Sequence, residues 1–350
     1  MVTSNIRFRD RDLLSRFLRA MSERIGRPVS DNKPIIDGAL LDGSRINIIF
    51  SDDVSMLGPS FTIRKFAEET ISITQLIQWK TISAQVAAYI WICLEYGMSV
   101  LVSGETASGK TTTLNAILPF IDHNVKIYSA EDTPEVKVRH KLWQRLVTRS
   151  SKNEESRVER PRYIIIGEIR GVEGATAFQA MQTGHPVIAT FHASSIVKMI
   201  QRFTGDPINV PIRFFDNLNF AIFQEVVEDP QGGGIARRVT GIDEVIGYNK
   251  HSDGVLTRGM FEWDPVKDKH YFRGMFQSHL LENKIAAVAG FSNKRDIYDE
   301  MLRRAAVLDR MVERDLTHYD DVFDLLGIYY NSGWDMFSRS VETWVGVNHK

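Results

Sequence analysis

The stretch Gly104-Glu105-Thr106-Ala107-Ser108-Gly109-Lys110-Thr111 constrains this chain more than any other. It fits G-x-x-x-x-G-K-[ST], in which glycines let the backbone curl until successive N–H groups point inward at phosphate oxygens. An apolar strand, Ser99 to Ser103, leads into it. A helix beginning at Thr111 leads out, adding the positive end of its dipole. Lys110, expected on the solvent-facing rim of the loop, supplies a point charge to β- and γ-phosphates, and the Thr111 hydroxyl can ligate Mg²⁺. Gly104, Thr106, Ala107, Ser108, Gly109, Lys110, Thr111 and Thr112 are the expected phosphate-binding positions.

The surrounding pattern is of the kind such a loop needs. From about Trp79 helices alternate with buried strands. Ala84 to Glu95 reads as a helix stopped by Gly97, and Thr111 to Phe120 as another that Pro119 helps to end. Val125 to Ser129, Tyr163 to Ile166 and Val187 to Phe191 are rich in Val, Ile and aromatics. Near-continuous apolar strands separated by helices predict a parallel sheet covered on both faces. Later the rhythm turns antiparallel, with Phe220 to Val227, a Gly232-Gly233-Gly234 turn, Arg237 to Tyr248 and Leu256 to Trp263. The end is helical, with Ile297, Met301, Leu302, Ala305, Leu308 and Met311 on one stripe.

Ahead of this lies a small α+β unit. Leu13, Leu14, Phe17, Leu18, Met21 and Ile25 form a helical stripe that Asp10 or Asp12 can cap. Ile35 to Leu41, an Asp42-Gly43 turn and Ile46 to Phe50 read as a hairpin, and Phe61 to Phe66 as a further strand. Period-2 alternation puts Phe61 and Ile63 toward the core and makes Arg64 project. The expected division is residues 1–78 and 79–350.

Composition narrows the function classes. With 350 residues, two domains are expected. Lys and Arg number 43 against 44 Asp and Glu, so the net charge is -1, without the basic excess of a chain that neutralises many phosphates. Nucleic acid is therefore not an expected partner. Arg7, Arg9, Arg11, Arg16, Arg19 and Arg24 share the outer face of the first helix, either as a solvated face or as a surface for an acidic partner. Cys93 stands alone among apolar neighbours, which excludes an internal disulfide and makes it a buried small hydrophobe. The longest apolar run, Val86 to Leu94, is about half of the ~20 residues that span a bilayer. Met1 to Asp12 has no apolar core, so the chain is expected to be soluble and intracellular, with any membrane role working through a partner.

Two strands deliver acids beside the loop. Tyr163-Ile164-Ile165-Ile166-Gly167-Glu168 brings Glu168 to a strand's C-terminal end, where ligands bind in open α/β sheets. Val125 to Asp132 does the same with Glu131 and Asp132. One carboxylate assisting Mg²⁺ and another activating water is the division of labour that hydrolysis requires. In Thr183-Gly184-His185-Pro186-Val187-Ile188-Ala189-Thr190-Phe191-His192-Ala193, His185 opens a buried strand and His192 closes it. His192 is expected to sense a γ-phosphate; His185 reads equally as a sensor or as an ordinary hydrogen-bonded residue.

These four segments resemble the Walker A, Asp, Walker B and His boxes of the type II/type IV secretion ATPase superfamily. Gly104 to Ile117, Phe61 to Phe66 and Phe261-Glu262-Trp263-Asp264-Pro265 most resemble its archaellum motor and archaeal pilus branch. The resemblance covers nearly the whole chain. It implies a hexameric ring, each subunit having an N-terminal domain hinged to a RecA-like motor domain, with ATP and Mg²⁺ at the interface. Carried over by position, Glu131 becomes the catalytic base and Glu168 the Walker B acid. Arg64 resembles the N-domain arginine that reaches the phosphates. Arg145 and Arg149 resemble interfacial arginines, a role that suits their planar forks. Two departures stand out. Only the second half of the family's N-terminal domain is recognisable, and Ser150 to Arg160 is short and polar where relatives have an apolar helix.

The expected architecture is α/β, a RecA-like P-loop ATPase core with a small α+β N-terminal domain and a C-terminal helical extension. The expected function is ATP hydrolysis in a ring that passes domain motion to a membrane platform protein, driving archaellum assembly or rotation, or pilus assembly. A nucleic-acid motor with the same core and a nucleotide-gated scaffold without turnover are the alternatives.

Overall fold

Asp10 opens the first helix, its carboxylate accepting from the Leu13 amide at 2.6 Å. The computed structural model describes residues 7–50, 54–65, 69–131, 135–147, 161–230 and 232–346. Arg149 and the Ser150 to Arg160 segment lie outside the described residues. The chain forms two compact units, Met1–Glu69 and Thr70–Lys350.

In the first unit, α1 (Arg11–Arg24) accompanies an antiparallel sheet of β1 (Ile35–Ala39), β2 (Arg45–Ile49) and β3 (Ser60–Arg64), in that order. Leu18, Val29, Ile36, Ile46, Ile48 and Phe50 form its core. The strand β3 is an edge. Phe61 is half-buried opposite Ile48, whereas Ile63, opposite Ile46 and expected in the core, is 41% exposed. The core thins toward that end of the edge strand. Arg64 is exposed.

The second unit begins with α2 (Ile73–Gln78), α3 (Ala84–Glu95), β4 (Val100–Gly104) and α4 (Lys110–Ile117). The hydroxyls of Ser72 and Thr74 donate to the carbonyls of Thr317 and Leu316, at 2.5 and 2.7 Å. These bonds tie α2 to the larger unit, and the division falls ahead of it rather than at residue 78. Then come β5 (Ile127–Glu131), β6 (Trp143–Val147), β7 (Tyr163–Ile166), α5 (Glu173–Gln182), β8 (Val187–Phe191) and α6 (Ile196–Thr204). Four further strands follow, β9 (Phe220–Glu228), β10 (Ile235–Asn249), β11 (Gly254–Asp264) and β12 (Lys269–Phe272). The helices α7 (Ile297–Glu313), α8 (Tyr319–Ser332) and α9 (Trp334–Thr343) complete the unit.

Among the described residues these strands make one nine-stranded sheet, ordered β12-β11-β10-β9-β4-β8-β7-β5-β6. The segment from β9 to β6 is parallel, and β10 to β12 extend it antiparallel. Alternate residues feed two cores. Val100, Val102, Ile188, Phe220 and Ile222 face the core shared with α3 and α7. Leu101, Val187, Ala189, Ala221 and Phe223 face α5 and α6. The unit is thus the α/β layer structure expected, with β6 an additional edge strand that its polar composition had concealed.

A buried charge fixes the C-terminal helices to α3. Arg304 is 2% exposed and reaches Glu95 at 2.5 Å, Glu300 at 2.8 Å and the Tyr329 hydroxyl at 2.9 Å. Its guanidinium also lies 4.7 Å from the Trp91 ring centroid. Truncating it strands two carboxylates, and losing one partner of a buried pair costs about 3–5 kcal/mol. Urea unfolding of Arg304→Ala should show a loss of that order. Arg310→Ala, which removes an exposed arginine paired with Glu342 and Glu313, should leave the midpoint nearly unchanged.

Candidate functional site

The parallel order puts the C-terminal ends of β4, β8, β7 and β5 side by side along one edge. The loop from Gly104 to Gly109 rises from the middle strand. A Cβ at Gly104 would stand 2.1 Å from the Gln224 carbonyl oxygen, so only glycine lets β4 and β9 remain paired here. The loop then bends through Ala107 at φ 64° and Gly109 at φ 95° before α4 begins. Thr111 and Thr112, in the first turn of α4, are half-buried.

Lys110 departs from expectation. It is 8% exposed, not on the rim. Its ammonium donates to the carbonyls of Gly104 at 3.1 Å and Glu105 at 2.7 Å. A buried ammonium needs acceptors, and the loop provides them. Burial lowers its pKa, against the opposing pull of Glu168.

Histidine and acid meet beside it. His192, just past β8, stands with Nδ1 3.5 Å from the Lys110 ammonium and Nε2 2.6 Å from a Glu168 oxygen. The other Glu168 oxygen accepts from Arg170 at 2.5 Å. Burial pushes the Glu168 pKa up, but the hydrogen bonds and charges of Arg170 and His192 prevail and hold it below its ordinary value. The Thr190 hydroxyl ties β8 to this strand end through the Gly167 carbonyl at 2.6 Å.

Glu131 ends β5 and is 5% exposed. One oxygen accepts from the amides of Glu135 and Val136, at 2.9 and 2.7 Å. The other accepts from Arg145 of the same chain at 3.3 Å. A Cβ on Gly167 would lie 2.9 Å from the Glu131 side chain, which places the two acidic strand ends against each other. Burial raises the Glu131 pKa, the direction that suits a base near neutrality.

His185 is not among these residues. It precedes β8 and so lies at the opposite end of the strand, bonded to the Thr183 hydroxyl at 3.0 Å. Arg145 sits on the edge strand β6, paired with Glu131. Two residues were missed from sequence. Gln224 of β9 is 1% exposed and bonds both Thr113 and the Ser108 carbonyl, at 2.6 and 2.8 Å. Arg237 of β10 donates to the Ala107 carbonyl at 3.0 Å. A glutamine inside the apolar Phe220-Ala221-Ile222-Phe223 strand was the available signal.

A groove of about 500 Å³ opens beside the loop, lined by Glu105, Thr106, His192, Ser194, Lys198 and Arg202. Its cations, the loop amides and Lys110 suit a phosphate chain. The Ser108 hydroxyl is buried with no partner among the described residues, as expected of a group that a phosphate oxygen would satisfy. No three His, Cys, Asp or Glu side chains converge among the described residues. A cation here would be held by Thr111 and Glu168, with phosphate and water completing its shell.

Residues 2–209 match the family model described as type II/IV secretion system protein. An uncharacterized protein of Methanocaldococcus jannaschii is 57% identical over 344 residues, covering 95% of this chain. This chain covers 62% of that relative's length. The conjugal transfer protein TrbB of Rhizobium radiobacter is 28% identical over 69% of this chain and 71% of its own. The pilus retraction motor PilT with bound ADP shares 18% identity over 83% of this chain and 76% of its own, with a TM-score of 0.44. Among the described residues no helix is long and apolar enough to cross a membrane.

The Glu168 contacts set a pH dependence. A native pKa below the ordinary 4.5 means that the unfolded chain binds the proton more readily. The stability that Glu168 contributes is complete above that value and lost as pH falls through the native pKa. Glu168→Gln should therefore narrow its stability gap to wild type on acidification below about pH 4.5, read from urea midpoints across a pH series.

Proposed function

The chain belongs to the type II/IV secretion system protein family, and on that premise we propose that it is an ATP-hydrolysing motor. The observation that carries the proposal is the meeting of the Lys110 loop with His192, Glu168 and Glu131 along one sheet edge. On ATP binding the Lys110 ammonium exchanges the carbonyls of Gly104 and Glu105 for β- and γ-phosphate oxygens. The loop amides and the Ser108 hydroxyl complete the cradle; Thr111 and Glu168 would hold Mg²⁺, which would neutralise phosphate charge. His192 reports the γ-phosphate to Glu168, to which it is already bonded. Glu131, its basicity raised by burial, takes a proton from the water that attacks the γ-phosphate.

The wider reading follows the family. The subunits form a hexameric ring on the cytoplasmic face of a membrane and drive a platform protein of an archaellum or pilus-type filament. Arg145 and Arg149 serve at the subunit interface. The conjugal-transfer relative supports a role in a macromolecular export machine. A scaffold that binds ATP without turnover is the second reading, and a specific observation favours it. Both Glu131 oxygens are already occupied, by two backbone amides and Arg145.

Two variants decide between them. Lys110→Ala should abolish binding of a fluorescent ADP analogue while the fold, checked by circular dichroism, persists. Unchanged binding would end the phosphate-loop reading. Glu131→Gln should bind ATP as wild type does and lose turnover by about 10²–10⁴-fold, the worth of a general base. Absent turnover in the wild type, with intact binding, selects the scaffold. Undiminished turnover in Glu131→Gln confines that residue to its structural bonds.

A further inference from the structure

Turning the amides of a phosphate loop inward turns its carbonyls outward, and those carbonyls need donors. Two neighbouring strands supply them here. Gln224 of β9 is paired in register with Gly104 and is 1% exposed. Its amide nitrogen donates to the Ser108 carbonyl at 2.8 Å, and its oxygen accepts from the Thr113 hydroxyl at 2.6 Å. One side chain thus ties the loop to the helix that leaves it. Arg237 comes from β10, where it pairs across from Val226. Its Nε donates to the Ala107 carbonyl at 3.0 Å, and its Cδ would stand 3.1 Å from a Cβ at Gly109.

The residue gripped by Arg237 is the one that most needs holding. Ala107 is not glycine, yet it has φ 64°. Such a conformation is costly for a residue with a Cβ and persists only where the surroundings over-determine it. The neighbour Arg238 anchors the strand from its other side, bonding Asp268 through two nitrogens at 2.7 and 2.9 Å. Arg237 is exposed, so its contribution to the core is small.

We propose that Gln224 and Arg237 are positioning residues that hold the phosphate loop in its ligand-ready shape from outside, without touching the phosphates. This rests on the nucleotide-binding reading of the loop. Losing a donor lets the loop relax, and each nucleotide must then reorder it on binding. That penalty falls equally on ground state and transition state, so it weakens binding and leaves the saturated rate alone.

The test is titration of the full chain with ADP and Mg²⁺, alongside steady-state turnover of ATP. Arg237→Ala should raise the ADP Kd and the ATP KM about tenfold, the worth of one hydrogen bond to a charged donor. Its kcat and its melting temperature without nucleotide should match wild type. Arg237→Lys, which can still reach the carbonyl with one donor, should recover part of the affinity. Gln224→Met should show a larger loss of affinity; because this site is buried, its circular dichroism spectrum is taken first, and Arg237 alone decides if it fails to fold. Unchanged ADP affinity in Arg237→Ala overturns the proposal. A fall in kcat at constant KM also overturns it, because Arg237 would then act on the reaction. A wild-type chain that binds no ADP overturns the phosphate-loop reading itself, an outcome distinct from the other two.

Discussion

The organisation of the larger unit follows from a single backbone demand. A loop that points its amides at one small volume must have strands on both sides of it and a helix behind it, because every outward carbonyl and the following N-terminus need partners. Gly104 meets the first condition by accepting the Gln224 backbone at a distance no side chain would tolerate. Ser103 secures the strand on the other side, its hydroxyl donating to the Ala193 carbonyl at 2.7 Å and accepting from that residue's amide at 3.0 Å. The loop is thereby stapled to the histidine-bearing strand end and to β9 together. What the loop can bind depends on how well these neighbours hold it.

The polar chemistry of the edge sits in a gradient of burial. Glu131 is nearly enclosed and its pKa moves up; Glu168, more open and paired with Arg170 and His192, moves down. Two carboxylates of one type are thus pushed apart by their surroundings. Lys110 stands between these tendencies, buried but bonded to two carbonyls.

Much of this was legible in the sequence because the signals were local. The runs Tyr163 to Ile166 and Val187 to Phe191 are strands with those bounds, and Ala84 to Glu95 is a helix with those bounds. Their apolar density left one solution. What stayed hidden depended on partners distant in the chain. Nothing in Trp143-Gln144-Arg145-Leu146-Val147 marks a strand until β5 is there to pair with it, and its polar residues fit an exposed edge. Ile63 belongs by alternation to the core side, but the small unit has too little core to cover it. His192, closing its strand beside the acids, is singled out by the sequence, whereas His185 at the opening end stays ambiguous until the strand's direction in the sheet puts it at the far edge. Lys110 looked exposed because a lysine usually is, and the carbonyls that attract it are the loop's own. Gln224 and Arg237 follow the loop by more than a hundred residues, beyond the reach of any motif.

The Arg304 cluster has a mechanical meaning. It welds α7 and α8 to the C-terminal end of α3, through Glu95 and Tyr329. That helix runs into β4 across only Tyr96 to Ser99, and Ser99 is itself locked, its amide to the Asn219 side chain at 2.7 Å and its hydroxyl to the Val187 amide at 3.1 Å. The C-terminal helices and the root of the loop-bearing strand are therefore joined through one short run of hydrogen-bonded residues.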